Sequence, residues 1–205
     1  MADVARRSPH IPATTDAGGD MRDLETRDGL PEGLRVLLRD YPRDIWQSHR
    51  NFDALTRFWL DRHLMFRDLL RRVTAETEAF LDRRTEGRVY AARSARLTGL
   101  LLNELHGHHR IEDMQYFPVL SGLERRLSAG FDLLDGDHHA LDGHLHTLAE
   151  ETNAALRAVQ SGAGARVRAG AAHARLGAFA GFLDRHLIDE EDLVIPVILH
   201  HAPRF

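Results

Sequence analysis

Two stretches of the chain carry side chains whose types and spacing suit a metal ion. The first runs His106-Gly107-His108-His109-Arg110-Ile111-Glu112-Asp113-Met114-Gln115-Tyr116-Phe117-Pro118, with three histidines and two acids inside its first eight residues. The second, His186-Leu187-Ile188-Asp189-Glu190-Glu191-Asp192-Leu193-Val194-Ile195-Pro196, repeats its skeleton. Each has a Glu four residues after a His, an acid directly after the Glu, and a Pro six residues after it. On a helix, positions i and i+4 share a face one turn apart. Each stretch therefore aims one imidazole and one carboxylate at a common point. Facing each other, the two would bring two nitrogens and two carboxylates to one pocket, a ligand set that suits iron, manganese or zinc.

Such a pocket needs helices to carry it, and the apolar spacing supplies them. Intervals of three and four mark an amphipathic helix over about residues 44–84, with a break near Asn51, through Phe52, Leu55, Trp59, Phe66, Leu70 and Val73. A second spans about residues 90–118, with Leu97, Leu101 and Leu105 leading into His108 and Glu112. A third runs over about residues 131–160 through Leu134, His138, Leu141 and Leu145, and a fourth over about residues 166–199 through Leu176, Phe179, Leu183 and His186. Gly87 is expected to stop the first helix, and Ser161-Gly162-Ala163-Gly164-Ala165 reads as a turn. No strand-like alternation occurs. The fold class is all-α: an antiparallel up-down-up-down four-helix bundle over residues 44–205, behind an N-terminal extension, residues 1–43, that mixes Pro, Gly, Asp and Arg without period and is partly disordered. Leu34, Leu37 and Leu38 allow one short helical turn before Pro42.

In that topology the start of the first helix, the end of the second, the start of the third and the end of the fourth lie together. At ~1.5 Å per residue, His63, His108, His138 and His186 all fall roughly 10–20 Å from that end. The separations of 45 residues from His63 to His108 and 48 from His138 to His186 describe two tandem hairpins, each with a His on its first helix and His-x-x-x-Glu on its second. His49 falls at or beyond the bundle end. Two positions have neighbours that compete for the same role: His109 with His108, and His139 with His138. Asp113 and Glu191 read as acids that orient ligating histidines or sit at the surface. His10, His144, His146, His173, His200 and His201 read as solvated or as part of a polar face. A metal-free polar layer is the plain alternative, and it is costly: burying four imidazoles and two carboxylates without a cation costs several kcal/mol unless all are hydrogen-bonded.

Composition removes other chemistries. The 205 residues suffice for one domain with a real core. There is no Cys, which excludes disulfides, thiolate metal sites and cysteine nucleophiles. All 27 basic residues are Arg, so P-loop nucleotide binding and Schiff-base chemistry lack their lysine. A net charge of −4 offers no basic footprint for nucleic acid. No apolar run is long enough for a membrane span and no signal peptide is visible, so a cytoplasmic location is expected.

The paired His-x-x-x-Glu-acid segments ending in Phe117-Pro118 and Ile195-Pro196, together with Asp137-His138 and a His inside the first helix, resemble the hemerythrin-like (HHE cation-binding) domain over about residues 44–200. The resemblance implies a four-helix bundle holding a non-haem diiron centre, two iron ions ligated by histidines and bridged by two carboxylates. By position it implies His63, His108, Glu112, His138, His186 and Glu190 as metal ligands, with Glu112 and Glu190 as the bridges. The oxygen-carrying members have a second His on the third helix four residues after the first; here that place holds Asp142, which leaves a carboxylate ligand or a water there. The implied function is binding or sensing O2, NO or a related small ligand such as azide, or holding iron. The alternative is a diiron enzyme that removes peroxide or NO, oxidase- or peroxidase-like. A ferritin-type centre is disfavoured, because that pattern places Glu before His at i, i+3. Binding is preferred to catalysis, no nucleic-acid or membrane partner is expected, and the oligomeric state stays open.

Overall fold

A computed structural model describes residues 24–205; the reading of residues 1–23 as a tail lies outside the described residues. The described chain is all-α, with no strand among the described residues. Four long helices dominate: α2 (Ala54–Leu81), α3 (Gly87–Ile111), α5 (Ser128–Ser161) and α6 (Ala165–His201). A short α1 (Val36–Asp40) precedes them, on the turn expected around Leu37, and α4 (Phe117–Leu123) extends α3 after a π-helical turn, Glu112–Tyr116. No described helix is long and apolar enough to cross a membrane.

The helix ends follow local chemistry. Residues Arg43–Ser48 form a separate 3-10 turn, and α2 starts where the Asp53 carboxylate accepts the Thr56 backbone N–H at 3.0 Å and its hydroxyl at 3.1 Å. The break expected near Asn51 thus divides the first periodic stretch. α2 already stops at Leu81, and Gly87, expected to end it, instead opens α3. Gly162 (φ 74°) and Gly164 (φ 66°) make the α5–α6 turn in left-handed backbone that favours glycine. Pro118 does not end the second periodic stretch. It lacks an N–H and its ring crowds the carbonyl four residues back, which is that of Met114, inside the π turn. The wider turn takes up that conflict, and helix resumes to Leu123. Pro196, by contrast, is buried inside a continuous α6.

Packing forms a ring of contacts. α2 lies against α3 and α6, and α5 lies against α3 and α6. At Gly130 a Cβ would meet Leu193 Cδ1 at 2.8 Å, so the close approach of α5 and α6 there depends on the missing side chain. The buried apolar residues separate into layers. One contains Trp59, Phe117, Leu134, Leu193 and Ile198; another contains Phe66, Leu105, Leu141, Leu183 and Leu187. On each of the four chain passages a site residue falls between a member of the first layer and a member of the second: Trp59-His63-Phe66, Leu105-His109-Phe117, Leu134-His138-Leu141 and Leu187-Glu190-Leu193. The polar layer is thereby sealed from above and below by hydrocarbon.

Residues 24–48 are packed on this body. Leu24, Leu30, Leu37 and Trp46 are buried, and so is Arg27. The N-terminal segment, from Leu24 onward, is a fitted part of the protein.

Candidate metal centre

Seven ionisable side chains from the four long helices converge in the polar layer. His63, His108, Glu112 and Glu190 offer ligand atoms that all lie within 4.8 Å of one another, and His109, His138 and His186 form a second such group. The two glutamates reach towards both groups. Glu112 Oε1 is 2.9 Å from His108 Nε2, while its Oε2 is 3.8 Å from His138 Nε2. Glu190 Oε1 is 3.2 Å from His63 Nε2, and its Oε2 is 3.4 Å from His186 Nε2. Each carboxylate therefore presents one oxygen to each set of imidazoles.

Helix geometry explains why both His108 and His109 take part. Successive residues on an α-helix are rotated by about 100°, and α3 has two neighbours, α2 and α5. His108 turns to α2, where its Nε2 is 3.3 Å from that of His63. His109 turns to α5, where its ring stacks on His138 with centroids 4.0 Å apart. It also meets His186 edge-on at 5.4 Å.

The inner atoms of the cluster lack partners among the described residues. They are both ring nitrogens of His109, both oxygens of Glu112, Nε2 of His138 and of His186, and Oε2 of Glu190, all buried and without a hydrogen bond of acceptable geometry. An unsatisfied buried polar group costs roughly 1–3 kcal/mol, so these seven together would rival the whole 5–15 kcal/mol stability of an ordinary domain. Cations in the layer remove that cost for all of them except one nitrogen of His109, since an imidazole turns only one nitrogen to a given site. The donor set of imidazole nitrogens and carboxylate oxygens fits iron, manganese or zinc.

The outer nitrogens of His63, His138 and His186, in contrast, are held. Asp113 Oδ1 faces His138 Nδ1 at 2.7 Å, Glu191 Oε1 faces His63 Nδ1 at 3.0 Å, and Asp137 Oδ2 faces His186 Nδ1 at 3.3 Å. A carboxylate on the outer nitrogen fixes the tautomer and points the other nitrogen inward. Trp59 donates its indole N–H to Glu190 Oε1.

Electrostatics in the metal-free protein sort the groups. Burial pushes the His108 imidazole down to about 3 and holds His109 well below the ordinary histidine range. Burial also lowers His138, against the pull of Asp113. For His186 burial works downward too, but Asp137 and Glu190 outweigh it and hold the ring up at about 9. His63 is raised in the same way, with burial outweighed by Glu190 and Glu191. Burial, then the neighbouring Glu190, drives Glu112 well up; Glu190 is held low, its burial outweighed by His63 and His186. Of the two facing carboxylates, Glu112 is thus the one that favours the proton.

The six residues assigned by position all reach this layer, and His109 joins them. The other competitors do not. His139 is exposed and bonds the Asp135 carbonyl oxygen at 2.8 Å. Asp142 is exposed as well, 3.6 Å from His106. Both line a small cavity of about 120 Å³ whose wall includes the outer side of His109 and His138. The ligand sought at position 142 is therefore missing from the layer, and a third imidazole comes instead from α3. Tyr116 packs edge-on against Trp59 at 5.0 Å and against Phe205 at 4.9 Å. A separate trio, Glu124, His200 and His201, sits near the α6 terminus. Its carboxylate is already gripped by Arg126 at 2.7 and 2.8 Å, which leaves it poorly placed to take a cation.

Comparison with curated proteins and with solved structures returns no match. A family model does match: the Hemerythrin HHE cation binding domain, over residues 54–198, which covers α2 through nearly all of α6. Its match spans most of the chain and takes in all seven converging side chains, and the chain belongs to that family.

Proposed function

We propose that the protein is a small-ligand-binding protein built on a non-haem di-metal centre, with two iron ions as the resident metals. The observation that carries this reading is the set of unpartnered inner atoms in one layer, beside which the outer nitrogens of His63, His138 and His186 are held by carboxylates. One ion would be held by His63 and His108, the other by His109, His138 and His186, with Glu112 and Glu190 between them. The long helices would run up-down-up-down, as their short connections favour. Such a metal pair supplies Lewis acidity and redox capacity next to a coordination position left open for an exogenous ligand.

The chain's own residues divide the remaining work. Glu112 and Glu190 offset part of the metal charge, and the two apolar layers exclude bulk water. The His63/His108 side has two imidazoles against three on the other, so the open position belongs there. A cavity of about 510 Å³ reaches that side, lined by Phe58, Trp59, Ile111 and Tyr116 together with His108 and Glu112. It is ample for O2, NO, azide or peroxide. Histidine-rich ligation favours binding over strong oxidation, and no buried acid or base at the cavity stands free of the centre to serve a substrate. The test is metal analysis with an optical spectrum of the protein in air, after dithionite, and with azide or NO. Close to two irons per chain and a spectrum perturbed by azide or NO are expected. Rapid peroxide turnover by the same centre would move the assignment to an enzyme.

A pH dependence follows from the residue electrostatics. A protonated imidazole cannot ligate, so metal uptake must expel the His186 proton, held up to about 9. Apparent affinity is expected to rise with pH between about 6.5 and 9, by roughly tenfold per unit for each proton released. The metal-free protein runs the other way. The stability that protonated His186 contributes is fully present below its unfolded value of 6.5 and is lost as pH rises through about 9. Chelator competition at pH 6.5, 7.5 and 8.5, with proton release counted in a pH-stat, checks this; a flat profile contradicts it.

A further inference from the structure

Two arginines that precede the first long helix end on the carboxylates behind the site histidines. Arg27 is buried and spans two acids. Its Nη1 donates to Asp137 Oδ1 at 2.7 Å, its Nη2 to Asp137 Oδ2, and its Nε to Asp189 Oδ2 at 2.8 Å. Asp137 Oδ2 is the atom facing His186 Nδ1. Arg43 does the same on the other side. Its Nη1 donates to Glu191 Oε2 at 2.7 Å and its Nε to Asp192 Oδ1 at 2.7 Å, while Glu191 Oε1 faces His63 Nδ1 at 3.0 Å. His63 and His186 belong to different ligand groups. The segment thus reaches both halves of the centre through two separate Arg–carboxylate–His chains.

We infer that residues 24–48 form a clamp on the metal centre, in which Arg27 through Asp137 positions His186 and Arg43 through Glu191 positions His63, one arginine for each metal ion. The physical logic is directional. A carboxylate free to rotate would let the imidazole behind it swing; the forked Arg27 guanidinium pins both oxygens of Asp137, and Arg43 holds the Glu191 oxygen that does not face His63, so that each ring is fixed from behind. Asp137 cannot be pinned by solvent, because both it and Arg27 are buried. Leu24 and Leu30, buried on either side of Arg27, and Trp46, buried beside Arg43 with the guanidinium 4.9 Å from its ring, anchor the segment. Glu191 has a second arginine, Arg67, at 3.0 Å, so the Arg27 arm is the stronger of the two. Both arginines are positioning residues that touch no metal ligand directly.

This inference rests on the di-metal reading, and its test separates the two. The full-length chain and its Arg27→Ala, Arg27→Lys, Arg43→Ala and doubly substituted Arg27→Ala/Arg43→Ala variants are loaded with cobalt(II). Its release into EDTA is then followed through the cobalt d–d bands. Wild type should hold two ions and release both slowly. Arg27→Ala should release one ion about ten- to a hundredfold faster, the range seen when an outer partner of a ligating histidine is lost, with a change in the d–d bands. Arg43→Ala should speed the other ion by a smaller factor, and the double variant should speed both. Arg27→Lys, which keeps the charge but cannot fork, should fall between wild type and Arg27→Ala and guards against an alanine variant that fails to fold. Wild-type release rates in the folded variants, or equal acceleration of both ions by each single substitution, would overturn the clamp while leaving the metal reading intact. A wild-type chain that takes up no cobalt would overturn the metal reading and the clamp with it.

Discussion

Glu190→Ala is expected to cost the protein both metal ions at once, whereas His63→Ala or His109→Ala is expected to leave it with at least one. The difference comes from where the oxygens lie. Glu190 presents Oε1 to His63 and Oε2 to His186, and Glu112 likewise has one oxygen near His108 and the other towards His138. A carboxylate between two cations lowers their mutual repulsion, so its removal weakens both. A terminal imidazole serves one ion only. Glu112→Ala should behave as Glu190→Ala does, while His139→Ala and Asp142→Ala, both at exposed positions, should retain two ions. Metal content by plasma emission after gel filtration reads the outcome. A Glu190→Ala protein that keeps one tightly held ion would deny the bridging role.

Stripping the metal is expected to lower the melting temperature by roughly 15–30 °C. An ion present at 1,000 times its Kd adds about 4 kcal/mol to the folded state, and two such ions about 8 kcal/mol. For a chain of this length each kcal/mol moves the midpoint by about 2–4 °C. The loss should be largest at alkaline pH, where His186 can no longer contribute as a cation. Differential scanning calorimetry before and after chelation, with the ion added back, checks this. Equal midpoints in metal-replete and stripped protein would mean that the polar layer is satisfied without a cation.

The helices were legible in the sequence because their apolar residues repeat at three and four, and α5 and α6 begin and end within a few residues of the expected bounds, whereas α2 starts only at Ala54 and α3 gives way to the π turn at Ile111. Tandem spacing brought six of the converging residues into view. It could not choose between His108 and His109, because periodicity reports a face, while α3 has two buried faces, one towards α2 and one towards α5. The π turn after Ile111 leaves no mark in the apolar pattern beyond Pro118 six residues after Glu112. Asp142 looked equivalent to a ligand because it follows His138 by four, yet its side chain turns outward to His106. Arg27 was invisible for another reason. It lies in a polar stretch without period, and its partners are 110 and 162 residues away in the chain, a distance over which a single sequence carries no pairing signal. The buried Leu24 and Leu30 on either side of it were the available hint.

If the seven side chains hold two ions side by side, anomalous diffraction from crystals of the iron-loaded protein will locate both. The expected map has two peaks about 3.5–4 Å apart, the spacing of paired metal sites. One should lie beside His63 and His108, the other among His109, His138 and His186, with Glu112 and Glu190 between them. A single peak, or peaks outside this layer, would contradict the account.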